Sequence, residues 1–295
     1  MGPAPRAILT TLALCAALLA LVPIAIGSDN GLIVFQGNHG GPPAVFTVKP
    51  NGSDLERLGS GLQPAISRDG KKIVFVRSSG NGAQLWLLNT DNGKVERITN
   101  DAKGNSQPAI SPDGSQIVFV GRARAGGDPH EREHLYIIDA DGSNERELTS
   151  GQKNADREPS FSADGKRIVF VRTANFSQLM TITAGGDDLK AVTDRDERFS
   201  SPEAPSYSPD GNRIVFDAVV RSDERIWTIG SDGNGLQQLT KGDDEGVEPA
   251  FSPDGDSIVF HSGRALFTMD ADGSGAKQLV ETPEGGNNLH PSWGR

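Results

Sequence analysis

Three stretches of this chain carry residue types that do chemistry elsewhere. His130-Glu131-Arg132-Glu133-His134 spells H-E-x-x-H, which on a helix turns two imidazoles toward one zinc ion and a glutamate toward its water. Here Gly126-Gly127-Asp128-Pro129 comes before it and the β-rich run Leu135-Tyr136-Ile137-Ile138 follows at once, so no helix fits and the segment is expected to be a solvated loop between strands. Asp139-Ala140-Asp141-Gly142-Ser143-Asn144 and Asp270-Ala271-Asp272-Gly273-Ser274 have the opening of a calcium loop. Neither has the bidentate glutamate that closes one, and equivalent places read Asn51-Gly52-Ser53 and Asp91-Asn92-Gly93, so hairpin turns explain them better. No Gly-x-Ser-x-Gly elbow occurs, and His39, His261 and His290 are scattered. No catalytic residue is expected.

What positions these residues is a repeat. Pro64-Ala65-Ile66-Ser67 returns as Pro108-Ala109-Ile110-Ser111, Pro159-Ser160-Phe161-Ser162, Pro205-Ser206-Tyr207-Ser208, Pro249-Ala250-Phe251-Ser252 and Pro291-Ser292-Trp293. The prolines are 44, 51, 46, 44 and 42 residues apart, a period of propeller blades or helical solenoids. The interior decides between the two. Five of the phrases run into a turn, such as Pro112-Asp113-Gly114 or Arg68-Asp69-Gly70, and then into Ile-Val-Phe, as at Ile73-Val74-Phe75 and Ile214-Val215-Phe216. A third strand, a second turn such as Asp141-Gly142 or Asp232-Gly233, and a charged fourth strand complete the unit, ending in Leu/Ile-Thr at Ile98-Thr99, Leu148-Thr149 and Leu239-Thr240, with no helical period. The fold class is therefore all-β, a six-bladed β-propeller of four-stranded blades. The chain enters on a second strand, Leu32-Ile33-Val34-Phe35, and leaves on a first strand, His290-Pro291-Ser292-Trp293. Pairing the C-terminal first strand with the N-terminal second strand closes the ring and removes an open edge.

The small residues of the first strand suit the axis, and the charged fourth strand suits the rim. The residues just before the repeated proline, Gln63, Gln107, Glu158, Ala204, Glu248 and His290, are then expected to ring the pore mouth, with Glu203 adjacent. They share a face with the longer, varied connections, read as Gly121 to His134, Thr193 to Ala204, Asp217 to Arg225 and Lys241 to Glu248. An oxygen-rich ring suits a hard cation such as calcium or a basic peptide segment, whereas a hydrated polar channel is the plainer alternative. No tightly bound cofactor is called for, and the metal content is left open.

Composition narrows the class further. The formal charge of −10 disfavours nucleic acid as a partner, and Cys15, the one cysteine, excludes a disulfide framework. Residues 1–27 carry Arg6, an apolar run to Ile26 and the small residues Ala25 and Gly27, the order of a secretory signal peptide. An uncleaved anchor is the alternative and the only route to a membrane. Residues 28–295 are left for the propeller, about 45 per blade, as an extracytoplasmic monomer, periplasmic or secreted.

The repeat P-[AS]-x-S-P-D-G…I-V-F…D-G-S…L-T resembles the WD-type propeller repeat of the TolB family of periplasmic proteins, over essentially all of residues 28–295. TolB proteins carry an α/β domain ahead of the propeller that engages membrane partners. Only Ser28-Asp29-Asn30 stands between the signal and the first strand here, so the resemblance is to the propeller alone. It implies a non-enzymatic protein that binds a protein or peptide partner in the cell envelope. The rival expectation is a metal-assisted lyase or hydrolase acting on an extracellular polymer at the pore.

Overall fold

A computed structural model describes residues 31–122, 133–151, 153–194, 198–242 and 245–295. The signal-like segment, Cys15 and His130 lie outside the described residues. Among the described residues all regular structure is strand. The first blade is β4 (Leu62–Ile66), β5 (Lys72–Ser79), β6 (Gly82–Asn89) and β7 (Val95–Arg97). The second is β8 (Ser106–Ile110), β9 (Gln116–Arg122), β10 (Glu133–Asp139) and β11 (Arg146–Glu147). The third is β12 (Ala155–Phe161), β13 (Arg167–Thr173), β14 (Ser177–Thr183) and β15 (Lys190–Ala191). The fourth is β16 (Ser200–Tyr207), β17 (Arg213–Val220), β18 (Asp223–Gly230) and β19 (Gln237–Gln238), and the fifth is β20 (Val247–Phe251), β21 (Ser257–Ser262), β22 (Ala265–Asp270) and β23 (Lys277–Val280).

The sixth blade is composite. β1 (Leu32–Gly37), β2 (Ala44–Val48) and β3 (Glu56–Ser60) are completed by β24 (Asn288–Gly294), which lies antiparallel to β1 with Ile33 opposite Trp293 and Val34 opposite Ser292. The expected closure is thus observed. Six four-stranded antiparallel sheets stand around one axis.

The Ile-Val-Phe triplet is apolar throughout because its strand is covered on both faces. Side chains alternate along a strand. Ile73 and Phe75 join Val34 and Val45 in the core toward the composite blade, whereas Val74 and Val76 join Ile117 and Phe119 in the core toward the second blade. The same division recurs at each of the six junctions, so the blades are held by interblade packing.

Two sequence expectations shift. The Leu/Ile-Thr pairs fall just beyond the short fourth strands, and the threonine hydroxyl accepts a third-strand N–H, as Thr99 does from Leu85 and Thr240 from Ile226, both at 2.9 Å. Asp217 to Arg225, read as a long loop, is almost entirely β17 and β18 joined at Arg221-Ser222, because Ala218 to Glu224 continue the pairing as a tight hairpin.

Candidate functional site

Each first strand carries the same irregularity. Its pairing with the second strand skips the residue before the proline and the proline itself, as between Leu62 and Ala65 or between Val247 and Ala250. A proline has no N–H for the ladder and settles at such a bulge. The residue before it turns left-handed: Gln63, Gln107, Glu158, Ala204, Glu248 and His290 have φ between +45° and +54°. A left-handed non-glycine residue costs about 1–2 kcal/mol, and a bulge re-aims its side chain. Here all six side chains turn to the axis, where they line a cavity of about 180 Å³ together with the repeated prolines.

The strained backbone is held by a chain of bonds from blade to blade. The Gln107 N–H donates to Gln63 Oε1 (2.9 Å), Glu158 N–H to Gln107 Oε1 (3.2 Å), Ala204 N–H to Glu158 Oε2 (2.7 Å) and His290 N–H to Glu248 Oε2 (2.6 Å). Ala204 and His290 have no side-chain oxygen to pass on. At both places the residue after Ile-Val-Phe takes over: Asp217 Oδ1 accepts from Glu248 N–H (2.8 Å) and Gln36 Oε1 from Gln63 N–H (3.0 Å). Every mouth residue therefore has its N–H bound by a side chain, four from the preceding blade's mouth residue and two by this substitution.

The ring is electrostatically lopsided. Gln36, Gln63 and Gln107 make one half neutral. The other half holds Glu158, Asp217 and Glu248, with Glu203 exposed beside them and opposite Asp217 in the ladder. Burial holds the Glu158 carboxyl above its usual range, with Glu203 and Glu248 adding repulsion. Burial pushes Asp217 well above its range, and burial and Glu224 raise Glu203. Glu248 behaves oppositely: burial would raise it, but bonds and charge from His290 outweigh that and hold it low. The partner, His290, is pulled down by burial and raised on balance by Glu248, whose Oε1 lies 2.7 Å from His290 Nδ1. His261 Nδ1 is buried without a hydrogen bond, 3.8 Å from Glu248 Oε2.

The structure thus gathers Gln63, Gln107, Glu158, Ala204, Glu248 and His290 around one cavity and leaves Glu203 just outside its wall. Sequence reading missed Gln36, Asp217 and His261. Their signal was present: the position after Ile-Val-Phe is Val76, Val120 and Val171 in three repeats and polar in these three. Among the described residues, no group of three or more His, Cys, Asp or Glu side chains is arranged to hold a metal ion. In the H-E-x-x-H stretch, Glu133 and His134 belong to β10 rather than to a loop, because they pair with Arg122 and Gly121. His134 is buried, with Nδ1 2.8 Å from Glu147 Oε1 and Nε2 3.1 Å from the Gly151 carbonyl. The Asp141-Gly142 turn is a hairpin turn, closed by Gly142 N–H on the Asp139 carbonyl.

The family described as the TolB beta propeller domain matches residues 59–204 and 200–295. A protein TolB homolog of Chlorobium luteolum is 28% identical over 291 residues, covering 95% of this chain. The chain spans 30% and 64% of the lengths of the two curated relatives it matches. Among solved structures, TolB from Acinetobacter baumannii superposes with a TM-score of 0.75 at 21% identity, over 91% of this chain and 68% of its own. An oligogalacturonate lyase in complex with manganese superposes with a TM-score of 0.60 at 13% identity, over 85% of this chain and 74% of its own. Likeness at these identities is likeness of fold.

Proposed function

The chain belongs to the TolB beta propeller domain family, and we propose that it is an exported, non-enzymatic binding propeller whose channel mouth receives a basic segment of a protein partner. The observation that carries this reading is the convergence of six left-handed residues on one cavity, with Glu158, Asp217 and Glu248 crowded on one side of it. Carboxylates held at a buried mouth repel one another, and a cationic side chain or amino terminus relieves that repulsion. Export is supported by residues 1–27, whose order of one basic residue, apolar run and small-residue exit is that of a secretory signal. The likeness to the lyase brings no chemistry with it, because fold does not carry function.

The test is calorimetry with a lysine-rich peptide, and separately with calcium, on wild type and on Glu158→Gln with Glu248→Gln. Glutamine keeps one oxygen to accept from the Ala204 or His290 backbone N–H and removes the charge, and at Glu248 its amide nitrogen then faces His290 Nδ1, so the backbone ring bonds persist. Peptide binding to wild type and its loss of about tenfold or more in the double variant support the reading. No peptide heat with wild type, or equal affinity in both proteins, overturns it. Calcium heat without peptide heat replaces the peptide by a hard cation.

A further inference from the structure

The far end of the channel is built from the first turns of the blades, and one of them departs from the rest. The residue before the turn aspartate is Pro112, Ala163, Pro209 and Pro253 in four blades and Arg68 in the first. These residues line a second cavity of about 140 Å³ at the narrow end. Six small residues, Ala65, Ala109, Ser160, Ser206, Ala250 and Ser292, belong to the walls of both cavities and form the waist between them. A proline or alanine at the turn is too short to reach the axis, whereas the arginine side chain crosses it.

Arg68 is half-buried, and its two terminal nitrogens donate to carbonyls on the other side of the ring: Nη1 to Pro209 (3.3 Å) and Nη2 to Pro253 (3.2 Å). Pro209 belongs to the fourth blade, which in a ring of six stands opposite the first. The Arg68 carbonyl in turn accepts the Arg295 N–H at 2.8 Å, which ties this turn to the end of the composite blade. A planar guanidinium bound at two corners is fixed in orientation, as a flexible single-donor ammonium is not.

We propose that Arg68 is a bolt across the narrow end, so that the channel is a one-ended well that solutes enter and leave only through the acidic mouth. The bolt is a property of the empty channel and stands whether or not a basic segment binds at the other end. It gives the well a cationic floor beneath an acidic rim. A ligand with one positive charge is drawn to the mouth, and one that carries a second charge deeper is repelled.

The experiment measures access to the narrow cavity from a single thiol. In a full chain carrying Cys15→Ser, Ile110→Cys places the reporter in the wall of the narrow cavity, below the waist. Its rate of modification by a negatively charged methanethiosulfonate, which the carboxylates of the mouth repel, is compared between Arg68, Arg68→Ala and Arg68→Pro, the last restoring the residue of three other blades. Thiol labelling follows access, and both variants are expected to react at least about tenfold faster. A control thiol at Val118→Cys, fully buried in an interblade core, must stay protected in all three backgrounds. Unchanged labelling of the narrow-cavity thiol in both variants overturns the bolt. So does labelling of the core thiol at the same rate, since the whole ring has then loosened.

Discussion

The two ends of the channel are made by opposite means. At the narrow end each of the five continuous blades closes its own turn: Ser67, Ser111, Ser162, Ser208 and Ser252 donate to the aspartate two residues on, at 2.5–2.7 Å. The serine bond in turn holds the carboxyls of Asp113, Asp164, Asp210 and Asp254 low. These turns are local and repeat almost without change. At the wide end the backbone is left-handed, and no residue there satisfies its own N–H; a side chain from the preceding blade does so. Local closure tolerates neighbours of any kind. Borrowed closure ties each residue to its partner, so Ala204 is accompanied by Asp217 and His290 by Gln36. Chemical variety is therefore concentrated at the wide end, and at the narrow end the charged departure among the turn residues, Arg68, is the one whose side chain reaches across the ring.

The largest effect is expected from breaking the ring that makes both ends possible. Removal of residues 288–295 deletes β24, exposes the edge of β1 and uncovers the core against which Trp293 packs. A loss of at least ~3 kcal/mol follows from that burial alone. The shortened chain should show no cooperative melt near that of the full chain, and a matching melting temperature would break the closure account.

A middle-sized effect separates borrowed from local closure. Asp217→Ala leaves the left-handed Glu248 N–H without its acceptor and should cost about 1–3 kcal/mol in urea unfolding. Asp217→Asn keeps an acceptor and should cost far less. The pair also has a pH signature. Asp217, Glu158 and Glu203 all sit above their ordinary carboxylate values, so the folded chain holds more protons than the unfolded one in that window. Stability then falls as pH rises from the ordinary carboxylate range through the folded values. His290, raised above 6.5, adds a contribution present below that pH and lost above it; Glu248, lowered from 4.5, opposes the trend only toward acid. Unfolding followed from about pH 5 to about pH 8 should show this decline in wild type and a shallower one in Asp217→Asn. Equal slopes would sink the assignment of Asp217 as a strained carboxyl.

The smallest effect belongs to the narrow end. Ser111→Ala removes the hydroxyl that donates to Asp113 and accepts from Gln116 N–H (2.9 Å). A cost of about 1 kcal/mol in melting is expected, with peptide heat unchanged. Altered peptide binding in this variant would mean that the two ends are not independent.

Much of this was legible in the residues. Blade number, strand order and ring closure follow from the proline phrase, the Asp-Gly turns and the Ile-Val-Phe triplets, because turn chemistry and alternation along a strand act over a few residues. The six mouth positions could be named for the same reason, since each stands before a repeated proline. The extent of the hairpin from Asp217 to Arg225 was misread, because polar residues at a strand end resemble a loop until the ladder pairs them. Asp217 and Gln36 escaped notice for a different reason: their oxygens serve residues 31 and 27 positions away, on another strand. Arg68 stood in plain view as a departure from Pro-Asp-Gly. That its guanidinium meets carbonyls 141 and 185 residues on was decided only when the ring closed and brought opposite blades within reach of one side chain.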